Sequence, residues 1–143
     1  MSMFEHISYV ALNARQKEQY NFQKISAVLA DYGFNCIKLA DDWQDADFLA
    51  YHIDRSTTLK IQLKSRITIQ KKYLGKEIWM AFPHDNSWYL IEHDRLEAKI
   101  GEHTNWLRSE SWLTGGGYSS VSINSNLLHS LAENRLGPVR DQF

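Results

Sequence analysis

The amino-acid sequence predicts an α/β domain in which helices flank a central mixed β-sheet. Three observations predict this class: an apolar helical pattern over residues 12–32, a run of short strand-like segments from residue 34 to residue 65, and a hairpin pattern over residues 77–92. The chain has 143 residues, 43% of them hydrophobic, which suits one domain over residues 1–143 with a substantial core.

The first predicted element is a helix over residues 12–32. Its apolar side chains recur at intervals of three and four residues, as one buried face of a helix requires: Phe22, Ile25, Val28, Leu29 and Tyr32. Gly33 is a typical residue at which a helix ends. We therefore expect this helix to pack one face on the sheet.

Three strands are predicted after this helix. Phe34 to Leu39 is the first, and an acidic connection over residues 41–45 follows it. The second is predicted over Phe48 to Ile53, and Asp47 precedes it in the strand-like segment Ala46 to Ala50. The third, Thr58 to Ser65, alternates apolar with polar residues, which is typical of a strand.

The second half of the chain predicts a hairpin and two further helices. Glu77–Phe82 and Trp88–Glu92 form the hairpin, joined by a loop of turn-forming residues at 83–87. A short helix is predicted over Asp94–Ile100, and the segment Trp106–Tyr118 is aromatic and then rich in glycine. The last helix is predicted over residues 123–136, capped by Asn124 or Ser125 and ended by Gly137-Pro138.

Several classes of protein are disfavoured by composition. The single cysteine, Cys36, excludes a disulfide framework and a cysteine-based zinc site, and the six histidines show no paired ligand spacing. No apolar run approaches membrane-spanning length, and Met1 to His6 lacks the pattern of a signal peptide. Gly115 to Gly117 lacks the Lys-Ser/Thr of a phosphate-binding loop and is interpreted as a flexible loop. These features favour a cytoplasmic protein and disfavour one that spans a membrane.

Candidate functional residues lie on the second and third predicted strands. Gln62 and Lys64 are two residues apart, so their side chains share a face of the strand. If the two strands pair as a hairpin, Asp47 lies beside them. A carboxylate, an amide oxygen and an ammonium group would then meet, which is the set needed to hold a divalent metal and a water against a phosphodiester. The alternative is a solvated strand face formed by Lys60, Gln62 and Lys64.

The order of these elements resembles the PD-(D/E)xK nuclease superfamily, which includes many restriction enzymes and archaeal Holliday-junction resolvases. Its pattern is a helix, a strand, an Asp-bearing strand and a strand with Glu-x-Lys. Ala46-Asp47-Phe48-Leu49-Ala50 is similar to the Asp strand, and Ile61-Gln62-Leu63-Lys64-Ser65 is similar to the Glu-x-Lys strand. The resemblance covers roughly residues 15 to 92. This sequence departs from the pattern in two ways: no proline precedes Asp47, and Gln62 replaces the acid, as in one group of intron-encoded homing endonucleases.

The resemblance implies a restriction endonuclease-like fold and a metal-dependent DNA endonuclease. Asp47, the side-chain oxygen of Gln62 and the backbone carbonyl of Leu63 would bind Mg²⁺ or Mn²⁺, and Lys64 would orient the attacking water and stabilise the phosphate charge. Many of these nucleases also have an acid on the first helix, which here would be Glu18. Asn21 fits the family spacing better but supplies no charge, and Glu18 alone is also consistent with an exposed helix residue.

A basic stretch begins at the candidate site. The net charge of the chain is −1, yet residues 60–76 contain six cations and no acid: Lys60, Lys64, Arg66, Lys71, Lys72 and Lys76. Such a stretch predicts contact with DNA phosphates, and its alternative is a solvated loop.

Two classes of function remain open from the sequence. The first is the nuclease, whose DNA substrate stays undetermined. The second is a nuclease-like fold that no longer cleaves and serves as a DNA-binding or protein-interaction module, because the second carboxylate is missing. Cleavage of both strands needs two active sites, so we also expect a homodimer or homotetramer whose interface uses the segment Trp106–Tyr118. The aromatic residues Trp106, Trp112 and Tyr118 are core or interface residues, or alternatively they stack on nucleic-acid bases.

Overall fold

The computed structural model of the chain describes residues 2–137, without the side chains of Asp42 and Trp43. Within this part, the strands are β1 (Phe34–Trp43), β2 (Ala46–His52), β3 (Thr58–Leu63), β4 (Ile67–Gln70), β5 (Ile78–His84), β6 (Ser87–Glu92), β7 (Gly117–Ser120) and β8 (Arg135–Leu136). The α-helices are α1 (Ala14–Ala30), α2 (His93–His103), α3 (Glu110–Leu113) and α4 (Ser125–Ser130). None of these helices is long and apolar enough to cross a membrane.

A six-stranded mixed sheet forms the centre of the fold, in the order β1-β2-β3-β5-β6-β8. The strands β1, β2 and β3 are antiparallel neighbours, β3 and β5 are parallel, and β5, β6 and β8 are again antiparallel. The strands β4 and β7 form a separate two-stranded sheet. The predicted α/β class, with a central mixed sheet flanked by helices, is confirmed.

Each face of the six-stranded sheet carries its own apolar core. On one face, Ile25 and Leu29 of α1 pack against Phe48, Ala50 and Ile61. The other face is covered by α2, α4 and the small sheet, and its core includes Met80, Phe82 and Ile91 from the central strands together with Leu96, Ile100, Leu127 and Leu131 from the helices. We call these the α1 face and the α2 face.

The helix α1 begins and ends at residues whose chemistry accounts for its bounds. Asn13 caps it through a side-chain bond from the backbone N–H of Gln16, and the Gln16 side chain accepts from the Asn13 N–H in return. Gly33 follows the helix with φ of +85°, and a Cβ there would come within 2.9 Å of the His52 ring. Glycine at this position therefore ends the helix and lets the chain pass close to β2.

Two connections are tighter than the sequence indicates. The predicted acidic connection at 41–45 is mostly strand, since β1 runs to Trp43 and turns through Gln44 and Asp45, both at positive φ. The predicted loop 83–87 is likewise reduced to a turn at Asp85 and Asn86, also at positive φ. Two consecutive positive φ angles are typical of type I′ turns, whose twist matches that of the strands they join.

The strand β4 was not predicted, because it is only four residues long and pairs with β7 about fifty residues later in the chain. A buried histidine at the start of α2 forms a hydrogen bond with β4. The backbone N–H of Gln70 donates to His93 Nε2 at 3.0 Å, and His93 Nδ1 lies 3.1 Å from Asp94 Oδ1. The opposite carboxylate oxygen of Asp94 accepts the Gly75 N–H, so this pair also holds the loop after β4.

The predicted final helix over residues 123–136 is wrong in its second half. The helix α4 ends at Ser130, and the chain then forms a 3₁₀ turn and the strand β8. Leu127 and Leu131 pack on the α2 face, whereas Leu136 packs on the α1 face. One continuous helix on one side of the sheet could not bury all three leucines, so tertiary packing overrides the local helical pattern here.

Candidate active site

The strands β2 and β3 separate at the position of Asp47. They pair as the expected antiparallel hairpin, and Phe48 opposite Ile61 is the pair nearest this end. Two residues beyond Ile61, the backbone N–H of Leu63 donates to Asp47 Oδ2 at 2.8 Å. In a regular ladder that N–H would donate to a backbone carbonyl of the neighbouring strand. The Asp47 carboxylate takes that place, so it lies against the backbone between Gln62 and Lys64.

The backbone carbonyl of Leu63 opens on the same side. In a β-strand, the N–H and C=O of one residue point toward the same neighbouring strand. Since the N–H of Leu63 points at Asp47, its carbonyl also faces the β2 side, at the level where β2 and β3 separate. The next residue faces the other way, because the Lys64 N–H donates to the carbonyl of Ala81 in β5 at 2.9 Å.

Gln62 is buried, with 5% of its surface exposed, and its side chain has a structural partner that the sequence did not reveal. Its amide nitrogen donates to the backbone carbonyl of Asp45 at 2.6 Å. A carbonyl can only accept, so this bond fixes which end of the amide faces Asp45. The bond ties the β1–β2 turn to β3, and it leaves the Gln62 oxygen as the atom that could bind a cation.

Lys64 lies beside an aromatic ring that sequence reasoning did not single out. Its Nζ is 5.8 Å from the centre of the Tyr73 ring, and the Nζ of Lys72 is 5.2 Å from the same ring. Tyr73 itself is buried in the α2-face core. One fixed aromatic ring therefore connects the candidate catalytic lysine with a lysine of the basic stretch, at distances where cation–π attraction operates. The signal in the sequence was a lone tyrosine directly after Lys71-Lys72.

Glu18 and Lys64 line one cleft of about 240 Å³ between α1 and the end of β3, together with Tyr9, Lys17, Asn21 and Leu63. The carboxylate of Glu18 lies 3.7 Å from the Nζ of Lys38 on β1, and the Glu18 side chain is 55% exposed. The helix α1 packs on the α1 face, while Gln62 is paired with Met80, whose side chain is in the α2-face core. Glu18 is thus close to Lys64 but approaches from the opposite face to Gln62, and its role as a ligand stays a prediction.

The donor set suits a hard cation with few protein ligands. Asp47 supplies a carboxylate, Gln62 an amide oxygen and Leu63 a backbone carbonyl, and Mg²⁺ prefers such oxygens while keeping several of its about six ligands as waters. Residues 2–137 contain no group of three or more His, Cys, Asp or Glu side chains that could hold a metal ion. The Asp47 site therefore offers one carboxylate, with neutral oxygens beside it.

The basic stretch divides into two groups. Arg66, Lys71, Lys72 and Lys76 are exposed. Lys60, in contrast, is half-buried, and its Nζ donates to the carbonyl of Lys76 at 3.1 Å and to Gln44 Oε1 at 3.4 Å. Lys71 lies 5.5 Å from the Trp112 ring and donates to the carbonyl of Leu113 at 3.3 Å. Arg66 lies two residues beyond Lys64, whereas Lys60 and the carbonyl of Lys76 meet at the other end of β3.

The aromatic segment Trp106–Tyr118 packs largely inward. Trp112 is 6% exposed, and the rings of Trp106 and Tyr118 stack at 4.8 Å against the α2-face core. Leu113, which is 61% exposed, is a large apolar side chain that this segment presents to solvent. The core interpretation of these aromatics is therefore the one that matches their burial.

Comparison with protein-family models, with curated proteins and with solved structures finds no match for this chain. Its function is therefore inferred from the residues of the site.

Proposed function

We propose that this protein is a metal-dependent DNA endonuclease that hydrolyses phosphodiester bonds, with its active site at Asp47, Gln62 and Lys64. The observation that carries the proposal is the 2.8 Å bond from Leu63 N–H to Asp47, which holds the carboxylate beside the Gln-x-Lys segment. The elements follow the order helix α1, strand β1, Asp-bearing β2 and then β3, at whose end the Gln-x-Lys segment lies, which is the order of the PD-(D/E)xK pattern.

The protein's own groups have distinct roles in this proposal. Asp47, the Gln62 oxygen and the Leu63 carbonyl hold a Mg²⁺ or Mn²⁺ ion. When bound, such an ion acidifies a water and offsets charge on the phosphate. Lys64 orients the attacking water by hydrogen bonding and stabilises the charge that develops on the phosphate oxygens. Tyr73 supports Lys64 from the side, since its ring lies 5.8 Å from the ammonium nitrogen.

With Asp47 as the single carboxylate, the protein would neutralise only part of the charge of a divalent ion. A two-carboxylate site would supply one more negative charge, so we expect weaker metal binding here. Glu18 lies in the same cleft as Lys64, and the DNA phosphate itself carries a negative charge. Metal affinity should therefore increase when DNA is bound.

The exposed cations give the proposal its DNA contact surface. Lys72 lies beside the same Tyr73 ring as Lys64, so its charge belongs to the surroundings of the candidate site. Arg66 lies in the loop after β3, two residues beyond Lys64, and Lys71 and Lys76 are exposed further away, between β4 and β5. Their charges would bind the DNA backbone irrespective of its sequence.

One observation favours a second candidate, a nuclease-like module that binds DNA or protein without cleavage. Gln62 is buried and its amide nitrogen is bonded to Asp45, so this residue has a structural reason to be glutamine. A glutamine whose role is to stabilise the β1–β2 turn need not be a metal ligand.

The two candidates differ in a nuclease assay. The purified protein is incubated with duplex, junction, flap and single-stranded DNA, with Mg²⁺ or Mn²⁺ or with EDTA. The nuclease proposal expects cleavage of at least one DNA with metal and none with EDTA. Binding of DNA without cleavage under every condition would favour the inactive module.

A further inference from the structure

A second polar cavity lies on the α2 face, at the edge of the sheet formed by β6 and β8. Its volume is about 490 Å³. The strands supply one wall and α4 with its following turn supplies the other. The residues that line it are Asp85, Ser87, Tyr89, Ser125, Leu128, His129, Ala132 and Arg135. No residue of the Asp47 site belongs to this cavity.

Strand register brings three of its polar side chains together. Tyr89 on β6 is the direct partner of Arg135 on β8, and directly opposed residues of antiparallel strands point to the same face. Ser87 lies two residues before Tyr89, so it shares that face too. Across the cavity, Ser125 and His129 are one helical turn apart on α4 and face the strands together.

The hydroxyl of Tyr89 is a donor without a protein partner. Tyr89 is only 5% exposed, and its ring stacks on Phe82 with centres 5.5 Å apart. No residue between 2 and 137 hydrogen-bonds to this hydroxyl, and the hydroxyl is not sealed from solvent either. A buried tyrosine normally finds a partner for its O–H. Here the small exposed part of the residue opens into the cavity, where a ligand can supply that partner.

The guanidinium of Arg135 is held in place and lacks a counter-ion. Its Nε donates to Ser87 Oγ at 2.8 Å, which fixes the plane of the group beside Tyr89. No carboxylate of the described chain lies within ion-pair distance of Arg135. The acid that lines the cavity, Asp85, is 86% exposed in its side chain and lies 3.5 Å from His84 instead. The cavity therefore presents a fixed positive group whose remaining N–H donors have no protein acceptor.

We propose that this cavity binds a phosphate monoester, the terminal phosphate of a nucleotide or of a nucleic-acid end. Arg135 and the Tyr89 hydroxyl are its main donors, and Ser125 and His129 complete the ring of polar groups. Arginine binds phosphate oxygens through paired N–H groups. The cavity is larger than one phosphate group, and Leu128 and Ala132 offer an apolar wall to the attached organic part. This inference does not depend on the proposed nuclease activity.

Isothermal titration calorimetry in EDTA tests the proposal, since EDTA keeps the Asp47 site free of metal. The ligands are inorganic phosphate, a nucleoside 5′-monophosphate, and one oligonucleotide with and without a 5′-phosphate. The variants are Tyr89→Phe, which removes only the hydroxyl, and Arg135→Gln. The matched control is Arg95→Gln, because Arg95 is exposed on α2 and pairs with Glu133 outside the cavity. Melting temperatures confirm that each variant is folded.

We expect the nucleoside monophosphate to bind, and Tyr89→Phe and Arg135→Gln each to weaken that binding by about tenfold or more, as loss of a hydrogen bond to a charged group does. Arg95→Gln should bind as the wild type does. Stronger binding of the free nucleotide than of the phosphorylated oligonucleotide identifies a small-molecule ligand, and the reverse identifies a nucleic-acid end. The proposal is overturned if no phosphate binds at about 10 mM. Unchanged binding by Tyr89→Phe, or equal binding of the oligonucleotide without its 5′-phosphate, would also overturn it.

Discussion

Asp47 on β2 accepts a hydrogen bond at 2.8 Å from the backbone N–H of Leu63 on the neighbouring strand β3. This contact ends the β2–β3 ladder with a side chain in place of a backbone carbonyl. The carboxylate therefore has two functions: one oxygen accepts the Leu63 N–H, and the group as a whole carries a negative charge. Substitution by asparagine keeps an oxygen for the N–H and removes the charge, so the two functions can be tested apart.

Gln62→Glu should lower the stability of the protein while it retains cleavage. The glutamate restores the carboxylate of the commoner family motif, but it places an acceptor against the Asp45 carbonyl that now receives a 2.6 Å bond. Loss of a donor at this buried position should lower the free energy of unfolding by about 1–3 kcal/mol, several degrees in melting temperature. Thermal denaturation and the metal dependence of cleavage measure the two effects.

Gln23→Glu is the matched control for this prediction, because this substitution makes the same change of charge at an exposed position of α1. It should melt at nearly the wild-type temperature. Gln62→Ala should lose both the turn contact and the ligand, so it should raise the metal concentration needed for cleavage. A Gln62→Glu protein as stable as the wild type would show that the contact with Asp45 contributes little.

Reversal of Lys71 and Lys72 to Glu should weaken binding to all DNA sequences alike. Both side chains are exposed, and Lys72 shares the Tyr73 ring with Lys64. Each lost phosphate contact lowers the number of counterions that are released when the protein binds DNA. The slope of log affinity against log salt concentration should therefore become flatter. Fluorescence anisotropy at several salt concentrations gives the affinity and the slope.

Lys24→Glu provides a close control for the single variant Lys72→Glu. Each lysine is exposed and lies 5.2 Å from a tyrosine ring, Tyr20 for Lys24 and Tyr73 for Lys72. Only Lys72 lies near the candidate site, so only its reversal should change DNA affinity strongly. Equal losses from the two variants would mean that net charge alone sets the binding.

His93 should make the protein less stable as the pH falls below neutral. Burial lowers the pKa of His93 from its ordinary value of 6.5, although the neighbouring Asp94 opposes this shift. Protonation of Nε2 would also break the bond from the Gln70 N–H. The unfolded chain takes up a proton near pH 6.5 while the folded chain resists it, so stability is full above that pH and decreases below it. Melting temperatures between about pH 7.5 and about pH 5.5 should show the decrease.

The variant His93→Gln should flatten this dependence, whereas replacement of the exposed His129 by Gln should leave it in place. The lowered pKa of Asp54, caused by bonds from the N–H groups of Ser56 and Thr57, affects stability only at much more acidic pH. The two effects therefore do not overlap. Identical pH profiles for the wild type and His93→Gln would contradict the assignment of the decrease to His93.

A protein that cuts both strands of DNA should be a homodimer or a larger symmetric assembly at working concentration. Light scattering coupled to size-exclusion chromatography, with and without DNA, measures this directly. Leu113 is the exposed apolar residue of the segment expected to form the interface, so Leu113→Glu should shift the assembly toward monomer. A monomer under both conditions would instead indicate a single-strand cutter or the inactive module.

The sequence predicted the α/β class, the helix α1, the first strands and the hairpin of β5 and β6, because each has a strong local signal. Alternation in β3 and helical spacing in α1 depend on neighbours only a few residues away. The strand β4 and the C-terminal strand β8 could not be predicted in this way. Each is very short and is formed by pairing with a segment far along the chain.

The candidate site was partly predictable for the same reason. The approach of Asp47 to the Gln62–Lys64 segment follows from a hairpin, which is local. The bond from Gln62 to Asp45 depends on the β1–β2 turn, and the position of Tyr73 beside Lys64 depends on packing across the α2 face. Likewise the cavity at Tyr89 and Arg135 exists only because β8 adds to the edge of the sheet.

The most direct test of the nuclease proposal is the rate of DNA cleavage with Mn²⁺ by the wild type, Asp47→Asn and Lys64→Ala. Asp31→Asn is the control, since Asp31 is exposed at the end of α1 and makes the same chemical change away from the site. We expect metal-dependent cleavage by the wild type and the control. We expect losses of about two powers of ten or more in Asp47→Asn and Lys64→Ala, which should stay folded. Cleavage by Asp47→Asn at the wild-type rate would contradict an active site at Asp47.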